Sequence, residues 1–162
     1  MQNTLKTTLV GVVLALGVCV PVMAGELEDA AAAWKRQDYA TAERLYRSLA
    51  EQGKAGAQHF LGKMYENGEG VPRNYAEAAK WYRLAAEQGH AGAQLYLGGM
   101  YYIGEGVARD YVQAYVYFSL SEAAGNGDFA ASSRAKVADK MTPAQITEAE
   151  RRTREWKPTK PK

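Results

Sequence analysis

The sequence has a single cysteine, Cys19, among its 162 residues. One cysteine cannot form an intramolecular disulfide, and thiolate metal centres need several. Histidine is almost as scarce: His59 and His90 are the only two, and neither has a carboxylate or thiol beside it at a metal-ligand spacing. We therefore predict no metal site and no cofactor, and we expect helix packing rather than cross-links to stabilise the fold.

Long apolar runs are also missing, except at the N terminus. The stretch from Thr7 to Val20 is almost entirely apolar, follows a single lysine, and is ended by Pro21 and the small-residue site Val22-Met23-Ala24. It is shorter than the roughly 20 residues that a bilayer-spanning helix needs. The pattern is typical of a secretory signal peptide over residues 1–24, cleaved after Ala24.

Two other interpretations of this N terminus are a membrane anchor that is retained and a lipoprotein anchor at Cys19. The bulky Val18 disfavours the second, because that processing site requires a small residue. Cleavage would leave a chain that begins at Gly25, has no cysteine and has no membrane span. We therefore expect the mature protein to be periplasmic or secreted.

A strong excess of one charge is absent as well, since the formal net charge is only +2. The charge is uneven, however, because from Arg134 onward nine Lys and Arg residues face four Asp and Glu residues. A basic segment can indicate nucleic-acid binding. An exported protein has little access to nucleic acid, so we interpret this segment as a solvated helix surface and predict no nucleic-acid partner.

What the chain does have is an internal repeat with a period of 36 residues. The segment from Ala55 to Gly89 is followed by His90 to Gly125, and about half of the aligned positions are identical. The segment Gly68-Glu69-Gly70-Val71 aligns with Gly104-Glu105-Gly106-Val107. A repeat of this length is typical of a solenoid, in which each unit buries its apolar face on its neighbour.

The motif resembles the Sel-one-like (SLR) repeat, a relative of the tetratricopeptide repeat, of the bacterial exported type. The residues that carry the resemblance are A-x-A-Q-x-x-L-G-x-M-Y-x-x-G-x-G-V, then (N/D)-Y-x-x-A, then W-Y-R-L-A-A-E-Q-G. The second copy departs from it where Tyr117 replaces Trp81. The resemblance implies an all-α, right-handed α-solenoid of helix-turn-helix repeats and a binding role, usually the scaffolding of protein partners, and no active site.

Most of the motif is interpreted as structural. Ala57, Leu61 and Met64 lie on one helical stripe and form the core face. Gly62 and Gly98 lie at its edge, where a glycine inside a helix costs about 1 kcal/mol relative to alanine unless close backbone approach compensates. We therefore predict that helices touch at these two glycines. The paired glycines after each first helix are predicted to make tight turns with positive φ.

The segments outside the two clear repeats complete the domain organisation. Residues 25–53 are a degenerate N-terminal repeat, residues 54–89 and 90–125 are SLR repeats, residues 126–157 are a C-terminal helical pair, and residues 158–162 are a disordered basic tail. Asp128 is predicted to cap the first helix of the pair. Thr142, with proline next and Gln145 at the third position, predicts the start of the last helix.

Several short motifs resemble those of catalytic or ligand-binding sites, but the other residues that such sites require are absent. Gly68-Glu69-Gly70 has neither the lysine nor the preceding strand of a phosphate-binding loop. Ser133 and Lys136 form an S-x-x-K sequence, as in penicillin-binding proteins, but the accompanying motifs are absent, so we interpret them as a solvated helix face. We predict no catalytic residue and no enzymatic activity.

One difference between the two SLR repeats bears on function. His59, Lys63, Glu66 and Asn67 of the first copy become Leu95, Gly99, Tyr102 and Ile103 in the second. A helix that is apolar nearly all round is normally buried. Either the C-terminal helices cover this face, or it is a docking surface for a partner around Leu95, Tyr102 and Ile103.

The sequence therefore favours an exported, non-enzymatic binding module that presents a helical repeat surface to a protein or peptide. Two alternatives remain open. One is an envelope enzyme or ligand-modifying protein acting on wall peptide or a β-lactam, and the other is a structural subunit that self-associates through the second SLR repeat.

Overall fold

The computed structural model describes residues 25–160, which fold into eight α-helices with no β-strand in that range. The helices are α1 Gly25–Lys35, α2 Tyr39–Glu51, α3 Ala55–Asn67, α4 Tyr75–Glu87, α5 Ala91–Ile103, α6 Tyr111–Ser121, α7 Gly127–Ala138 and α8 Pro143–Glu155. The signal peptide predicted at residues 1–24, with Cys19, and the last two residues of the predicted tail lie outside the described residues. No helix within 25–160 is long and apolar enough to cross a bilayer.

The first six helices form three antiparallel pairs that stack in chain order. Each of α1 to α6 packs on the next one along the chain, so α1–α2, α3–α4 and α5–α6 are successive repeats. We call them repeat one, repeat two and repeat three. This arrangement confirms the predicted all-α, right-handed solenoid.

The second helix of each repeat begins at the same kind of residue. The side chains of Asp38, Asn74 and Asp110 accept hydrogen bonds from backbone N–H groups of the first helical turn. Such N-caps satisfy donors that have no partner within the helix. The (N/D)-Y motif therefore fixes where α2, α4 and α6 start.

A buried glutamine ties each of the later repeats to the one before it. The Gln58 side-chain amide donates to the Ala50 carbonyl at 3.1 Å, and Gln94 donates to Ala86 at 3.2 Å. Both glutamines are almost fully buried. The glutamine of the A-x-A-Q motif is thus a polar link between a first helix and the preceding second helix.

Gly62 and Gly98 are contact points between the two helices of their repeats, as the sequence predicts. A Cβ atom at Gly62 would lie 2.7 Å from the Tyr82 ring, and one at Gly98 would lie 2.9 Å from the Phe118 ring. Gly70 has a left-handed φ of 75°, and a Cβ there would lie 2.6 Å from the Tyr39 carbonyl. A side chain at any of the three positions would push neighbouring segments apart.

The C-terminal helices do not continue the stack. Both α7 and α8 pack on α6. Between α6 and α7 the chain turns through Glu122–Asn126, where Gly125 has a φ of 115°. The prediction that Asp128 caps α7 is wrong, because the helix begins at Gly127 with Asn126 as the N-cap residue, so Asp128 lies inside the first turn. The Thr142–Gln145 capping box at the start of α8 is confirmed.

The chain after α8 folds back towards repeat two. Trp156 and Pro158 lie against Gly89, and the Thr159 N–H donates to the Glu87 carbonyl at 2.8 Å. A disordered tail is predicted from the sequence at 158–162, whereas residues 158–160, which form no helix, are held at the end of α4 by the Thr159–Glu87 hydrogen bond. We call residues 156–160 the strap.

Candidate binding groove

A groove of about 400 Å³ opens between α5 and α7. Its floor is formed by α5 with Phe118 of α6, and its two sides are formed by α3 and α7. We call it the α5–α7 groove. Phe129, Ser133 and Lys136 contribute to the α7 side, and Glu66 to the α3 side.

The three residues predicted as a partner-binding surface all line this groove, but to different degrees. Leu95 and Tyr102 are half-buried and pack against the C-terminal core. Ile103 is 61% exposed. The C-terminal helices therefore cover the apolar face only in part, because α7 and α8 pack on α6 and not on the outer face of α5. The covering of this face therefore holds for Leu95 and Tyr102, and Ile103 stays exposed.

Phe129 is a groove residue that the sequence analysis missed. It lies in the first turn of α7 and is 69% exposed, more than any other large apolar side chain in the described part of the chain. The available signal was an isolated phenylalanine in an otherwise small and polar helix. With Ile103 it places two exposed apolar side chains at one opening.

The groove is open because Gly99 has no side chain. A Cβ at Gly99 would meet no atom within 4 Å. The equivalent residue of repeat two is Lys63, whose ammonium lies 5.7–6.0 Å from the centres of three aromatic rings, those of Trp34, Phe60 and Tyr96. The same place is thus occupied over α3 and free over α5.

Repeat two contains a polar side-chain contact that is absent at the equivalent positions of repeat three, which line the groove. There the Tyr82 hydroxyl donates to the Glu66 carboxylate at 2.5 Å. Burial, and then this hydrogen bond, raise the pKa of the Tyr82 hydroxyl. The corresponding residues in repeat three are Phe118 and Tyr102, so the phenol–carboxylate pair is replaced by two rings.

Charged groups lie at the rim. Glu66 and Glu105 line the groove on the α3 and α5 sides, and Lys136 lines it on the α7 side. The two carboxylates favour a positively charged group near them, and one oxygen of Glu66 already accepts the Tyr82 hydroxyl. The rim therefore has a charge direction that an occupant would have to match.

The S-x-x-K residues also lie beside the groove. Ser133 is half-buried and Lys136 is exposed. No hydrogen bond joins the Ser133 hydroxyl to the Lys136 ammonium among the described residues, and Ser133 is not hydrogen-bonded to another base there. The geometry makes these residues part of a surface rather than an activated nucleophile.

The two histidines, far apart in sequence, stack in the structure. The rings of His59 and His90 are 4.6 Å apart with an interplanar angle of 28°. Burial, with smaller contributions from His90 and Lys63, lowers the pKa of His59 to about 4. Neither ring nitrogen of His59 has a hydrogen-bond partner among residues 25–160. No group of three or more potential metal-ligating side chains occurs in the same range.

The pair was missed because its contact depends on the register between α3 and the start of α5. His90 is the N-cap residue of α5, where its Nδ1 accepts the Ala93 N–H at 3.2 Å. That role points its ring back towards α3. The two histidines are 31 residues apart, and no pattern in the sequence between them indicates that their side chains are in contact.

Comparison with protein families gives one match, which covers more than half of the chain. The Sel1 repeat profile matches residues 33–54, 55–90 and 91–126, which correspond to parts or all of the three stacked pairs. No curated protein matches the chain.

Solved structures give a consistent result. The chain is similar to c5321, a protective antigen present in uropathogenic Escherichia coli strains that displays an SLR fold, with 33% identity over 81% of this chain and a TM-score of 0.77. The chain spans only 29% of that protein. A Sel1 repeat protein from Oxalobacter formigenes matches at 22% identity over 78% of this chain and 75% of its own, with a TM-score of 0.54, a likeness of fold alone.

Proposed function

Because the chain belongs to the Sel1 repeat family, whose members are typically scaffolds for protein–protein interaction, we propose that it is an exported, non-enzymatic scaffold that binds a protein or peptide in the α5–α7 groove. The observation that carries this proposal is the pair of exposed apolar side chains, Ile103 and Phe129, on facing helices at one groove opening. Exposed apolar patches rimmed by polar residues are typical of interaction sites.

The groove has the composition of a binding site. It combines apolar and aromatic side chains with few charged groups, which is the usual make-up of a ligand-binding pocket. Its walls are helices and not loops, so little ordering is needed before a partner docks. Tyr102 and Phe129 are the kind of aromatic anchors that dominate interface energetics.

Export is the second part of the proposal, and it rests on the signal pattern of residues 1–24. We expect the exported protein to begin at Gly25 and to be free of the membrane. N-terminal sequencing and intact mass of the protein in envelope and extracellular fractions test this. A mass that retains residues 1–24, found in the membrane fraction, would contradict it.

Neither alternative from the sequence analysis is favoured by a particular observation. Ser133 and Lys136 lie at the groove without the hydrogen bonds of a catalytic pair. Self-association would use the same apolar side chains as partner binding, so it is treated as an outcome of the binding experiment.

The binding experiment compares the proteins captured from an envelope extract by the wild type and two variants. Ile103→Glu places a charge at a 61% exposed position, so it should weaken capture without changing stability. Leu84→Glu is the control. It places the same charge at another exposed apolar residue, 40% exposed, on the surface of α4 away from the groove. A partner retained by Leu84→Glu and lost by Ile103→Glu supports the proposal.

Equal capture by all three proteins would overturn the proposal for this groove. Capture of further copies of the same chain, lost by Ile103→Glu, would instead identify a self-associating subunit. Thermal unfolding of both variants checks that a loss of capture is not a loss of fold. Tyr102→Glu is a poorer test, because Tyr102 is half-buried and a charge there disturbs the core.

A further inference from the structure

The strap shows how one junction between repeats holds an extended chain. A Cβ atom at Gly89, the residue that follows α4 and its cap, would lie 3.6 Å from the Trp156 ring and 3.9 Å from Pro158. The Thr159 N–H donates to the Glu87 carbonyl at 2.8 Å. An aromatic residue, a proline and one backbone hydrogen bond thus fix the strap where repeat two meets repeat three.

The two positions that the strap contacts recur one repeat earlier. Glu51 and Gly53 precede Glu87 and Gly89 by 36 residues, and the two glycines have the same left-handed backbone, with φ of 83° and 88°. Within residues 25–160 no backbone N–H donates to the Glu51 carbonyl. The acceptor that the strap uses at Glu87 is therefore available at Glu51.

A pocket of about 470 Å³ opens at this earlier junction, between repeats one and two. It is lined by Glu51 and Gly53 after α2, by Gln58 of α3 and by Leu84 of α4, and Lys160 of the strap lies at one side of it. We call it the Gly53 pocket. It has no lining residue in common with the α5–α7 groove.

Two equivalent leucines show that the Gly53 pocket lacks a cover that the later junction has. Leu120 is 7% exposed and belongs to the apolar cluster on which Trp156 packs. Leu84, 36 residues earlier, is 40% exposed and belongs to none of the apolar clusters of residues 25–160. The same residue type is thus covered at one junction and open at the other.

The charges at the Gly53 pocket match those of the strap. Glu51 and Glu87 line it, and neither carboxylate is in an ion pair in the described part of the chain. The strap carries Lys157 and Lys160. Two unpaired carboxylates favour a basic segment as the occupant.

We propose that the Gly53 pocket binds an extended segment of a partner protein that has the pattern of the strap: an aromatic residue two positions before a proline, with lysine or arginine beside them. The aromatic ring lies against Gly53 and covers Leu84, and a backbone N–H after the proline donates to the Glu51 carbonyl. The pocket volume is within the range of ligand sites, roughly 300–1,000 Å³. The proline restricts the free segment, which lowers the cost of ordering it.

Three blocked peptides test the inference: acetyl-Trp-Lys-Pro-Thr-Lys-amide, which is the strap sequence, the same peptide with alanine for tryptophan, and the same peptide with glutamate for both lysines. Each is titrated into the isotope-labelled protein while the backbone amide signals are followed by NMR. We expect the strap peptide to shift the signals of Glu51, Gly53 and Leu84. Its dissociation constant should be lower than those of the other two by about fivefold or more, since one lacks the ring and the other has the wrong charge.

Leu84→Lys is the decisive variant. It removes the apolar contact and adds a like charge, so it should weaken binding of the strap peptide by about tenfold. Phe129→Lys makes the matched change at the exposed apolar residue of the α5–α7 groove and should bind the peptide as the wild type does. Circular dichroism of both variants checks the fold.

The remaining outcomes overturn the inference in distinguishable ways. Shifts at Gly89 and Trp156 without shifts at Gly53 would show that the peptide only displaces the strap. Equal binding of the alanine peptide, or tighter binding of the glutamate peptide, would contradict the assigned chemistry. Shifts that depend only on protein concentration would identify a second copy as the occupant. If no peptide binds, this site fails, whereas the α5–α7 groove is tested separately by the Ile103 variant.

Discussion

Repeat two and repeat three have the same framework and opposite surfaces. Both carry the capped second helix, the buried glutamine link and the packing glycine of the first helix. They differ at the positions that face the next layer, where His59, Lys63, Glu66 and Tyr82 become Leu95, Gly99, Tyr102 and Phe118. The framework positions are those that hold helices together, and the others are free to vary.

The comparison teaches how a groove can arise in a solenoid without a change of backbone. Over α3 the place between neighbouring helices is filled by the Lys63 side chain. Over α5 the same place is empty because Gly99 has no side chain, and α7 supplies no ring to close it. The absence of a side chain at Gly99, together with the absence of an aromatic ring at the facing position of α7, leaves a cleft where repeat two has a filled junction.

The largest expected effect concerns the two packing glycines. Gly62→Val and Gly98→Val should each lower the free energy of unfolding by about 1–3 kcal/mol, because the new side chain collides with a buried ring. The loss should be greater at Gly62, since the Tyr82 ring is also held by the Tyr96 stack and by its hydrogen bond to Glu66. Phe118 borders the open groove and can move away.

Chemical denaturation of the two glycine variants measures this difference. The substitutions are matched in residue type and in helix position, so intrinsic helix propensity cancels between them. An equal loss at both sites, or a greater loss at Gly98, would show that the groove gives Phe118 no freedom.

A smaller effect is expected from the stacked histidines. The pKa of His59 is about 4 in the folded protein and about 6.5 in an unfolded chain. Between these values the unfolded chain binds more protons, so stability falls as the pH is lowered from about 6.5 towards 4. From pH 7 to pH 5 the loss due to His59 should be about 1–2 kcal/mol, after allowance for partial exposure.

The substitution His59→Leu tests this pH dependence. It introduces leucine, the residue found at the equivalent position 95 of repeat three. Its stability should depend less on pH between 7 and 5 than that of the wild type. The pKa of His90 is also lowered by burial, so part of the dependence remains. Identical pH dependence of the two proteins, measured by denaturant unfolding, would refute a buried neutral His59.

The smallest effect is a gain in stability at Gly99. Gly99→Ala should raise the free energy of unfolding by up to about 1 kcal/mol, because alanine has the better helix propensity and the added Cβ meets no atom. Gly98→Ala, one residue earlier, is the control and should lower it. A loss of stability at Gly99 would mean that the groove is closed in solution.

The sequence predicts the framework well because the framework is periodic. Residues such as Gly62 and Gly98 recur every 36 positions, and each of them forms the same kind of contact between two helices. The capping residue Thr142 and its partner Gln145 are likewise local, so the start of α8 can be read without knowledge of the tertiary structure.

The parts that were not predicted depend on contacts that do not recur. The sequence left open whether the C-terminal helices cover repeat three, and the turn at Gly125 directs both α7 and α8 onto α6. For that reason the exposure of Ile103 and the place of Phe129 at the groove could not be derived. The contact of Thr159 with Glu87 joins two segments 72 residues apart with a single backbone hydrogen bond.

That contact changes the cooperativity of the molecule. In an ordinary solenoid each unit touches only its neighbours, so its stability is a sum of intrinsic and nearest-neighbour terms and its ends can unravel one unit at a time. The strap continues from α8, which packs on α6, to the end of α4, so it adds a contact between units that are not neighbours in the stack. We therefore expect that separating α8 from α6 also breaks the Thr159–Glu87 hydrogen bond, which couples the C-terminal end of the chain to repeat two.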